Sequence, residues 1–212
     1  MDQNIFKNYI DISPQISPKT AVYPGDVKFS RNIAMSFKDN HHLDLSSITT
    51  TLHVGAHTDA PSHYHKDGQT MEQRKLDYYM GECQVISVNV PNDSKIKLED
   101  IKDIIKSQRI LFKTKSFPDP NTFNEDFVAI SPEVISKLKS VGVKLVGIDT
   151  PSIDPATCKE LLAHKAVYES NMAILEGIVL DEVEDGIYQL IALPLKIKDA
   201  DASPVRAILL KE

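Results

Sequence analysis

The stretch Ser47-Ser-Ile-Thr-Thr-Thr-Leu-His-Val-Gly-Ala-His-Thr-Asp-Ala-Pro-Ser-His63 contains three histidines and one aspartate in the pattern H-x3-H-x-D-x3-H. These residues are His53, His57, Asp59 and His63. Imidazole nitrogens and carboxylate oxygens are ligands for zinc, manganese and iron, and a catalytic zinc site commonly leaves one position for water. A solvated loop, or core histidines with hydrogen-bonded nitrogens, would be the alternatives. Because four such side chains fall in one short segment, the sequence favours a metal site.

The backbone of this stretch is predicted to be a strand that ends at a glycine. Apolar and polar residues alternate over 48–54 and many are β-branched, which is typical of a strand and would place His53 on its polar face. Gly55 tolerates backbone angles that other residues avoid. We therefore expect His57 and Asp59 to lie on a tight loop just after the strand.

Length and composition indicate a globular protein of one domain, residues 1–212. Apolar residues make up 42% and charged residues 25% of the chain, and the net charge is −6. The chain has no basic block that would favour nucleic acid and no apolar run of about 18 residues that would span a membrane. Its N-terminal residues 1–7 lack an apolar signal core. Two cysteines without a C-x-x-C pair predict no disulfide framework, so a cytoplasmic protein is the simplest interpretation.

The remaining pattern predicts an α/β fold with mixed sheets. Helices are predicted over 98–106, from Ser131 to Gly142, and from Asp154 to a histidine at its end, His164. The order strand, helix, strand over 85–114 favours a parallel or mixed sheet. Segment 116–126 is irregular and polar, and it fits either a lid over a site or a plain surface loop. Strands are predicted at 9–13, 28–36, 85–90, 109–114, 143–148, 172–175, 188–194 and 205–210.

Two distant residues are further candidate ligands from their chemistry. His164 lies in a predicted helix, and Glu176 follows an apolar strand and precedes a glycine. Taken singly, each fits a structural or solvated role at least as well. Tyr23 stands beside a Pro-Gly turn, where an aromatic ring is either core or the wall of a pocket.

The segment from His53 to His63 resembles the signature H-x-G-[T/A]-H-x-D-x-P-x-H of the cyclase family of metal-dependent hydrolases. The resemblance covers nearly the whole chain, because four other segments also resemble recurring segments of the family. It implies a single-domain swivelling β/β/α fold and a homodimer. These four segments are Tyr23–Asp26, Gly147–Pro155, Leu190–Leu195 and Asp201–Arg206.

The family resemblance also implies a site with two divalent metal ions, zinc first and manganese as an alternative. Its implied ligands are His53 and His57 for one metal, His164 for the second, and Asp59 and Glu176 bridging both. His63 would be the proton donor and acceptor.

Two positions depart from the family pattern. Ala56 replaces a threonine that is not a ligand, so the implied metal site is kept. Tyr23 stands where the kynurenine formamidases of this family carry a tryptophan that lines the substrate pocket, and this chain has no tryptophan. A phenol ring still stacks on an aromatic substrate, with less contact area.

The implied activity is hydrolysis of a small aromatic amide, first N-formylkynurenine, by a metal-activated hydroxide with His63 supplying the proton. Opening of a cyclic amide or lactone, as in the similar isatin hydrolases, is the alternative. A metal-binding protein without catalysis is a minor alternative. A serine hydrolase of the α/β type would need a G-x-S-x-G segment, which the sequence lacks.

Overall fold

Short strands dominate the secondary structure. The computed structural model describes residues 9–211, so the expectation for the first seven residues lies outside the described range. In chain order the strands are β1 (Tyr9–Asp11), β2 (Ser30–Met35), β3 (Leu45–Thr49), β4 (His57–Asp59), β5 (Met80–Ser87), β6 (Lys95–Ile96), β7 (Arg109–Lys113), β8 (Ala129–Ile130), β9 (Leu145–Ile148), β10 (Ala173–Leu175), β11 (Gly186–Ile191), β12 (Ala202–Pro204) and β13 (Ile208–Leu210). The α-helices are α1 (Pro61–Tyr64), α2 (Pro132–Ser140) and α3 (Leu162–Glu169). Single turns of 3-10 helix lie at Phe37–Asp39, Met71–Gln73, Leu76–Tyr78 and Leu98–Asp100.

A seven-stranded sheet with the order β1-β13-β11-β5-β7-β9-β10 forms the centre of the molecule. Strands β5, β7, β9 and β10 are parallel to one another, whereas β11, β13 and β1 join by antiparallel pairing. The predicted mixed sheet is therefore confirmed.

Both faces of the central strands are covered by apolar side chains. In β7, Ile110 and Phe112 pack in the cluster that includes α2 and α3, whereas Leu111 packs in the cluster on the other face. Successive side chains of a strand point to opposite faces, so a strand covered on both sides is apolar throughout. This explains why these strands are continuous apolar runs in the sequence.

Helix α2 begins as predicted and ends slightly earlier. Ser131 is its N-cap position, and Pro132 occupies the first turn, where a missing backbone N–H costs nothing. Val141, which falls within the predicted helix, lies just after its end at Ser140 and is 49% exposed. The buried face consists of Val134, Ile135 and Leu138.

The predicted helix over 98–106 is wrong, since only Leu98–Asp100 forms a single 3-10 turn there. The side chain of Gln84 on β5 explains the difference. Its amide nitrogen donates to the carbonyl of Ile104 at 3.1 Å, and its amide oxygen accepts from the backbone N–H of Lys106 at 2.8 Å. These bonds compete with helical hydrogen bonds, and Ile104 is left 77% exposed.

Three two-stranded sheets complete the fold of residues 9–211, and one of them is the parallel pair of β6 and β8. Strand β4 pairs antiparallel with β12 and is buried, so it lies inside the molecule next to the central sheet. Strands β2 and β3 form an antiparallel hairpin whose residues are nearly all exposed. In residues 9–211, no helix has the length and apolar character needed to cross a membrane.

Candidate metal centre

The first group of candidate residues is placed by a turn, a short strand and a short helix. The predicted strand over 48–54 is wrong beyond Thr49, where β3 ends, and His53 lies in a turn. Gly55 adopts a positive φ of 61°, which glycine tolerates, but the strand that it was expected to break already ends at Thr49. His57 and Asp59 were expected on a loop, but they lie on β4, on the same side of it because they are two residues apart.

The second group comes from the end of β10 and from α3. Glu176 follows β10 directly, as predicted, and its backbone exchanges two hydrogen bonds with that of His57 at 2.9 and 3.0 Å. Gly177 makes this contact possible: its φ is +64°, and a Cβ there would lie 2.3 Å from the carbonyl oxygen of Gly55. His164 is the third residue of α3 and not at a helix end as expected, because the helix starts at Leu162 and not at Asp154.

The structure brings all five predicted ligands together. His53 Nδ1 and His57 Nε2 lie 3.0 and 3.6 Å from Asp59 Oδ1, and His164 Nε2 lies 3.3 Å from Asp59 Oδ2. Glu176 Oε2 is 3.2 Å from His57 Nε2, and Glu176 Oε1 is 3.8 Å from His164 Nε2. Two groups of potential ligands result, and they share Asp59: His53, His57 and Asp59, and Asp59, His164 and Glu176.

Each of the three histidines uses its outward ring nitrogen to contact a separate acceptor. His57 Nδ1 is 2.9 Å from the carbonyl oxygen of Gly55, and His164 Nδ1 is 2.7 Å from Asp154 Oδ2. His53 Nε2 is 3.0 Å from Asp201 Oδ2. A nitrogen that donates its proton outward leaves the other nitrogen free with its lone pair directed inward, which is the usual arrangement of histidine ligands.

Asp154 also positions the backbone that carries His164. Its two carboxylate oxygens accept hydrogen bonds from the backbone N–H groups of Ala163 and His164 at 3.0 and 3.1 Å. These N–H groups belong to the first turn of α3, where they have no partner within the helix. One buried carboxylate therefore fixes both the start of the helix and the ring of its histidine.

The surroundings of the Asp59 and Glu176 carboxylates suit a bound metal better than they suit two buried charges without a cation. Asp59 and Glu176 are both buried, at 2% exposure each. Asp59 Oδ1 receives no well-directed hydrogen bond, although His53 Nδ1 is 3.0 Å away. Among the described residues, the ion-pair partners of these two carboxylates are histidines, with no lysine or arginine. Buried carboxylates need compensating positive charge, so the donor set suits divalent cations.

The same charges favour protonation of two histidines. Burial opposes the charging of His53, but the Asp59 and Asp201 carboxylates outweigh it and raise the pKa of His53 to about 9. Burial also opposes charging of His164, and Asp154 and Asp59 raise its pKa to about 10. Despite burial, contacts with His164 and His53 hold the pKa of Asp59 well below its ordinary value. A proton and a metal cation therefore compete for these positions.

His63 lies beside the five residues but is set apart from them. It is on α1, its side chain is 36% exposed, and its ring centre is 4.3 Å from that of His53. Its Nδ1 faces Asp201 Oδ2 at 3.5 Å. This position leaves the ring accessible from the cavity described next.

A cavity of about 460 Å³ opens above the candidate ligands and is lined by them. Its size falls in the range of small-molecule sites, about 300–1,000 Å³. Tyr23 lies on its wall with its ring centre 5.0 Å from that of Phe123, and burial raises the pKa of Tyr23 to about 12, so its phenol stays neutral. Phe117 and Phe123 of segment 116–126 line the cavity too, so this segment is part of the wall.

Sequence reasoning gave no role to several residues of this site. Asp154 and Asp201 fall in segments that resemble the family, but their contacts, with residues 10 and 148 positions away, form only on folding. Asp149 also falls in the segment Gly147–Pro155 but was given no role, and Lys115 on the cavity wall had no sequence signal beyond a polar residue after a strand. Cys158 also lines the cavity, whereas Cys83 is buried in the core.

Protein stripped of metal with EDTA should lose stability as the pH rises above neutrality. Folding raises the pKa values of His53 and His164, so their contribution to stability is complete below pH 6.5 and is lost as the pH passes through about 9 and 10. At high pH these histidines lose their protons, and a bound metal ion supplies the missing positive charge. Added Zn²⁺ should therefore raise the Tm more at pH 8.5 than at pH 6.0. Each 1 kcal/mol corresponds to about 2–4 °C in Tm.

Differential scanning fluorimetry of stripped and zinc-loaded protein at the two pH values measures this difference. An equal shift in Tm at both pH values would contradict the competition between protons and metal at this site.

The comparisons with known proteins agree on one protein family. Residues 10–155 match the Cyclase family model, described as "Putative cyclase". The chain is 40% identical over 201 residues to kynurenine formamidase from Delftia acidovorans (strain DSM 14801 / SPH-1), covering 94% of this chain and 95% of that protein.

Solved structures agree with this assignment. A protein described as a predicted metal-dependent hydrolase from Bacillus stearothermophilus is 28% identical, with a TM-score of 0.82 over 97% of this chain and 98% of that one. Isatin hydrolase A from Labrenzia aggregata is 21% identical, with a TM-score of 0.80 over 97% and 94% of the two chains, and shows the same fold. The predicted mixed α/β fold class is thus confirmed, and the chain belongs to the cyclase family of metal-dependent hydrolases.

Proposed function

We propose that this protein hydrolyses N-formylkynurenine, an aromatic formamide that carries an amino acid group, to kynurenine and formate. The observation that carries this proposal is the placement of three histidines and two buried carboxylates at the base of a cavity with an aromatic wall. The 40% identity to a kynurenine formamidase supports the substrate. The reaction would belong to tryptophan catabolism, in a single-domain protein located in the cytoplasm.

The proposed cofactor is a pair of divalent metal ions, with zinc as the first choice and manganese as an alternative. Divalent cations held by His53, His57, Asp59, His164 and Glu176 would polarise the formyl carbonyl and lower the pKa of water. The two ligand groups that share Asp59 support two ions. The two oxygens of Glu176 face histidines of different groups, which supports a bridging role for this residue as well.

His63 is the proposed proton donor and acceptor. Water adds to the formyl carbon, the C–N bond breaks, and the nitrogen must take a proton because an aniline anion is a poor leaving group. An imidazole can accept and return a proton near neutral pH. His63 lines the cavity and is exposed enough to reach a bound amide.

The cavity wall favours a substrate with a carboxylate over neutral isatin. Lys115 is the single lysine or arginine among the described residues that line the cavity. Its backbone is fixed at φ 58°, and its N–H donates to Asp149 Oδ2 at 2.8 Å, as does the N–H of Thr114. Asp26 and Asp181 also line the cavity, so a substrate ammonium group has partners there.

We also propose a homodimer in which the hairpin of β2 and β3 contributes to the interface. A two-stranded hairpin alone is marginally stable in water, and this one is exposed on both faces. Apolar side chains are exposed along it and at its tip: Ile33 (57%), Phe37 (63%), Leu45 (51%) and Ile48 (62%). Such a patch is typical of a protein interface.

Removing the proposed proton carrier should slow turnover strongly and leave the metals in place. We expect His63→Ala to lower kcat for N-formylkynurenine by about 10²–10⁴-fold, the usual contribution of a general acid–base group. Elemental analysis should give the wild-type metal content, because His63 is not a proposed ligand. His65→Ala is the matched control, since His65 stacks on Tyr168 at 3.8 Å and lies outside the cavity lining.

Full turnover by His63→Ala would refute the proton-carrier role. Faster opening of isatin than of N-formylkynurenine by the zinc-loaded wild type would favour the alternative activity.

The contribution of Lys115 to KM should depend on whether the substrate carries a carboxylate. We expect Lys115→Met to raise KM for N-formylkynurenine by about tenfold, as the loss of a charged hydrogen bond of about 1.5 kcal/mol would. The KM for formanilide, which has no carboxylate, should not change. Lys198→Met is the control, because Lys198 is 87% exposed and is not part of the cavity lining. An equal change for both substrates would contradict carboxylate binding by Lys115.

A charge on the hairpin should disrupt the dimer. Light scattering after gel filtration should give a dimer for the wild type and a monomer for Ile48→Asp, because a buried carboxylate without a partner destabilises an interface. Ile104→Asp is the control, since Ile104 is 77% exposed elsewhere on the surface. A monomeric wild type, or the same mass for both variants, would contradict the proposal.

A further inference from the structure

Asp201 occupies a fixed position beside the candidate metal centre. It immediately precedes β12, whose Ala202 pairs with Asp59 on β4. Its carbonyl oxygen accepts a hydrogen bond from the N–H of Ala60 at 2.8 Å. The backbone of Asp201 is therefore held against the segment that joins Asp59 to His63.

One carboxylate oxygen of Asp201 faces two histidines. Its Oδ2 is 3.0 Å from His53 Nε2 and 3.5 Å from His63 Nδ1. The rings of His53 and His63 lie against each other, with their centres 4.3 Å apart. Asp201 thus connects a proposed metal ligand to the proposed proton carrier.

We propose that Asp201 is a positioning residue that orients His63 for proton transfer, an inference that rests on the proposed function. A carboxylate at Nδ1 favours the tautomer in which Nδ1 carries the proton, so Nε2 is the atom that exchanges a proton with the reactants. The same carboxylate stabilises the imidazolium that forms when Nε2 accepts a proton. An aspartate performs this role for the histidine of serine hydrolases.

Asp201 would assist the two proton transfers that His63 makes during the reaction. Water loses one proton to His63 Nε2 as its oxygen bonds to the formyl carbon. The C–N bond then breaks, and the same proton passes from Nε2 to the departing nitrogen. The products are the free amine and formic acid, which ionises to formate by releasing its proton to solvent, and His63 returns to its starting state with its Nδ1 proton still directed at Asp201.

Two other roles for Asp201 predict different behaviour. As the partner of His53, Asp201 would act on the reaction through the metal that His53 binds. Alternatively, Asp201 would bind an outer cation together with His53 and His63, because the potential ligand atoms of these three residues lie within 4.8 Å of one another. Either role affects all substrates alike or changes the metal content. Proton transfer to the leaving group matters only where that group needs a proton.

The test compares leaving groups in Asp201→Asn. N-formylkynurenine releases an aniline that must be protonated, whereas 4-nitrophenyl formate releases a phenolate that departs without a proton. We expect kcat for the amide to fall by about 10²-fold with KM nearly unchanged, within the range for a general acid–base contribution. Turnover of the ester should fall less than that of the amide, because only the attack of water uses His63 with the ester and its leaving group needs no proton. The metal content should stay close to wild type, and Asp201→Glu should recover part of the amide activity.

Asp199→Asn is the matched control, because it removes one negative charge from the same segment at a side chain that is 76% exposed. It should behave as wild type with both substrates. Equal losses for amide and ester in Asp201→Asn, or a changed metal content, would overturn the positioning role.

His63→Ala in the same assays separates this inference from the proposed function. A selective loss of amide turnover in His63→Ala, without one in Asp201→Asn, would refute only the role of Asp201. If His63→Ala loses amide turnover and ester turnover by the same factor relative to the wild type, the proton-carrier role of His63 itself is refuted.

Discussion

Two carboxylates, Asp59 and Glu176, are buried next to each other, and the local structure depends on compensating their charge. Of the described residues, those that reach them with a basic nitrogen are the three histidines, each held by an acceptor on its other side. Such a set is balanced only when cations, protons or metals, lie between the rings and the carboxylates. Metal binding and folding are therefore coupled at this point.

The fold supplies this arrangement by joining two pieces of backbone that are distant in sequence. Strand β4 lies beside the end of β10, and two backbone hydrogen bonds between His57 and Glu176 fix the spacing of the two segments. The close approach requires glycine, because a side chain at Gly177 would collide with the carbonyl of Gly55. Rigid backbone on both sides keeps the side chains in place, so the site needs few further contacts.

The sequence predicted which side chains meet at the candidate metal centre better than it predicted the backbone that carries them. The spacing of His53, His57 and Asp59 indicated a metal site, and the apolar runs of β7, β9 and β10 indicated a buried sheet. The local structure around His53 could not be predicted, because the period of two over 48–54 arises in a segment that leaves the hairpin at Thr49. The failed helix over 98–106 has a similar cause, since a distant side chain on β5 determines that backbone.

The residues that support the ligands were missed for a physical reason. A ligand is recognised by its chemistry and spacing, whereas Asp154 and Asp201 are ordinary aspartates until folding brings them to a ring nitrogen. Their contacts span 10 and 148 residues of sequence. Asp154 faces one histidine, but Asp201 faces both a candidate ligand and His63, so one carboxylate contacts the candidate metal centre and the proposed proton carrier. Because of this shared contact, a change at Asp201 reaches the first set of candidate ligands and the proposed proton carrier together.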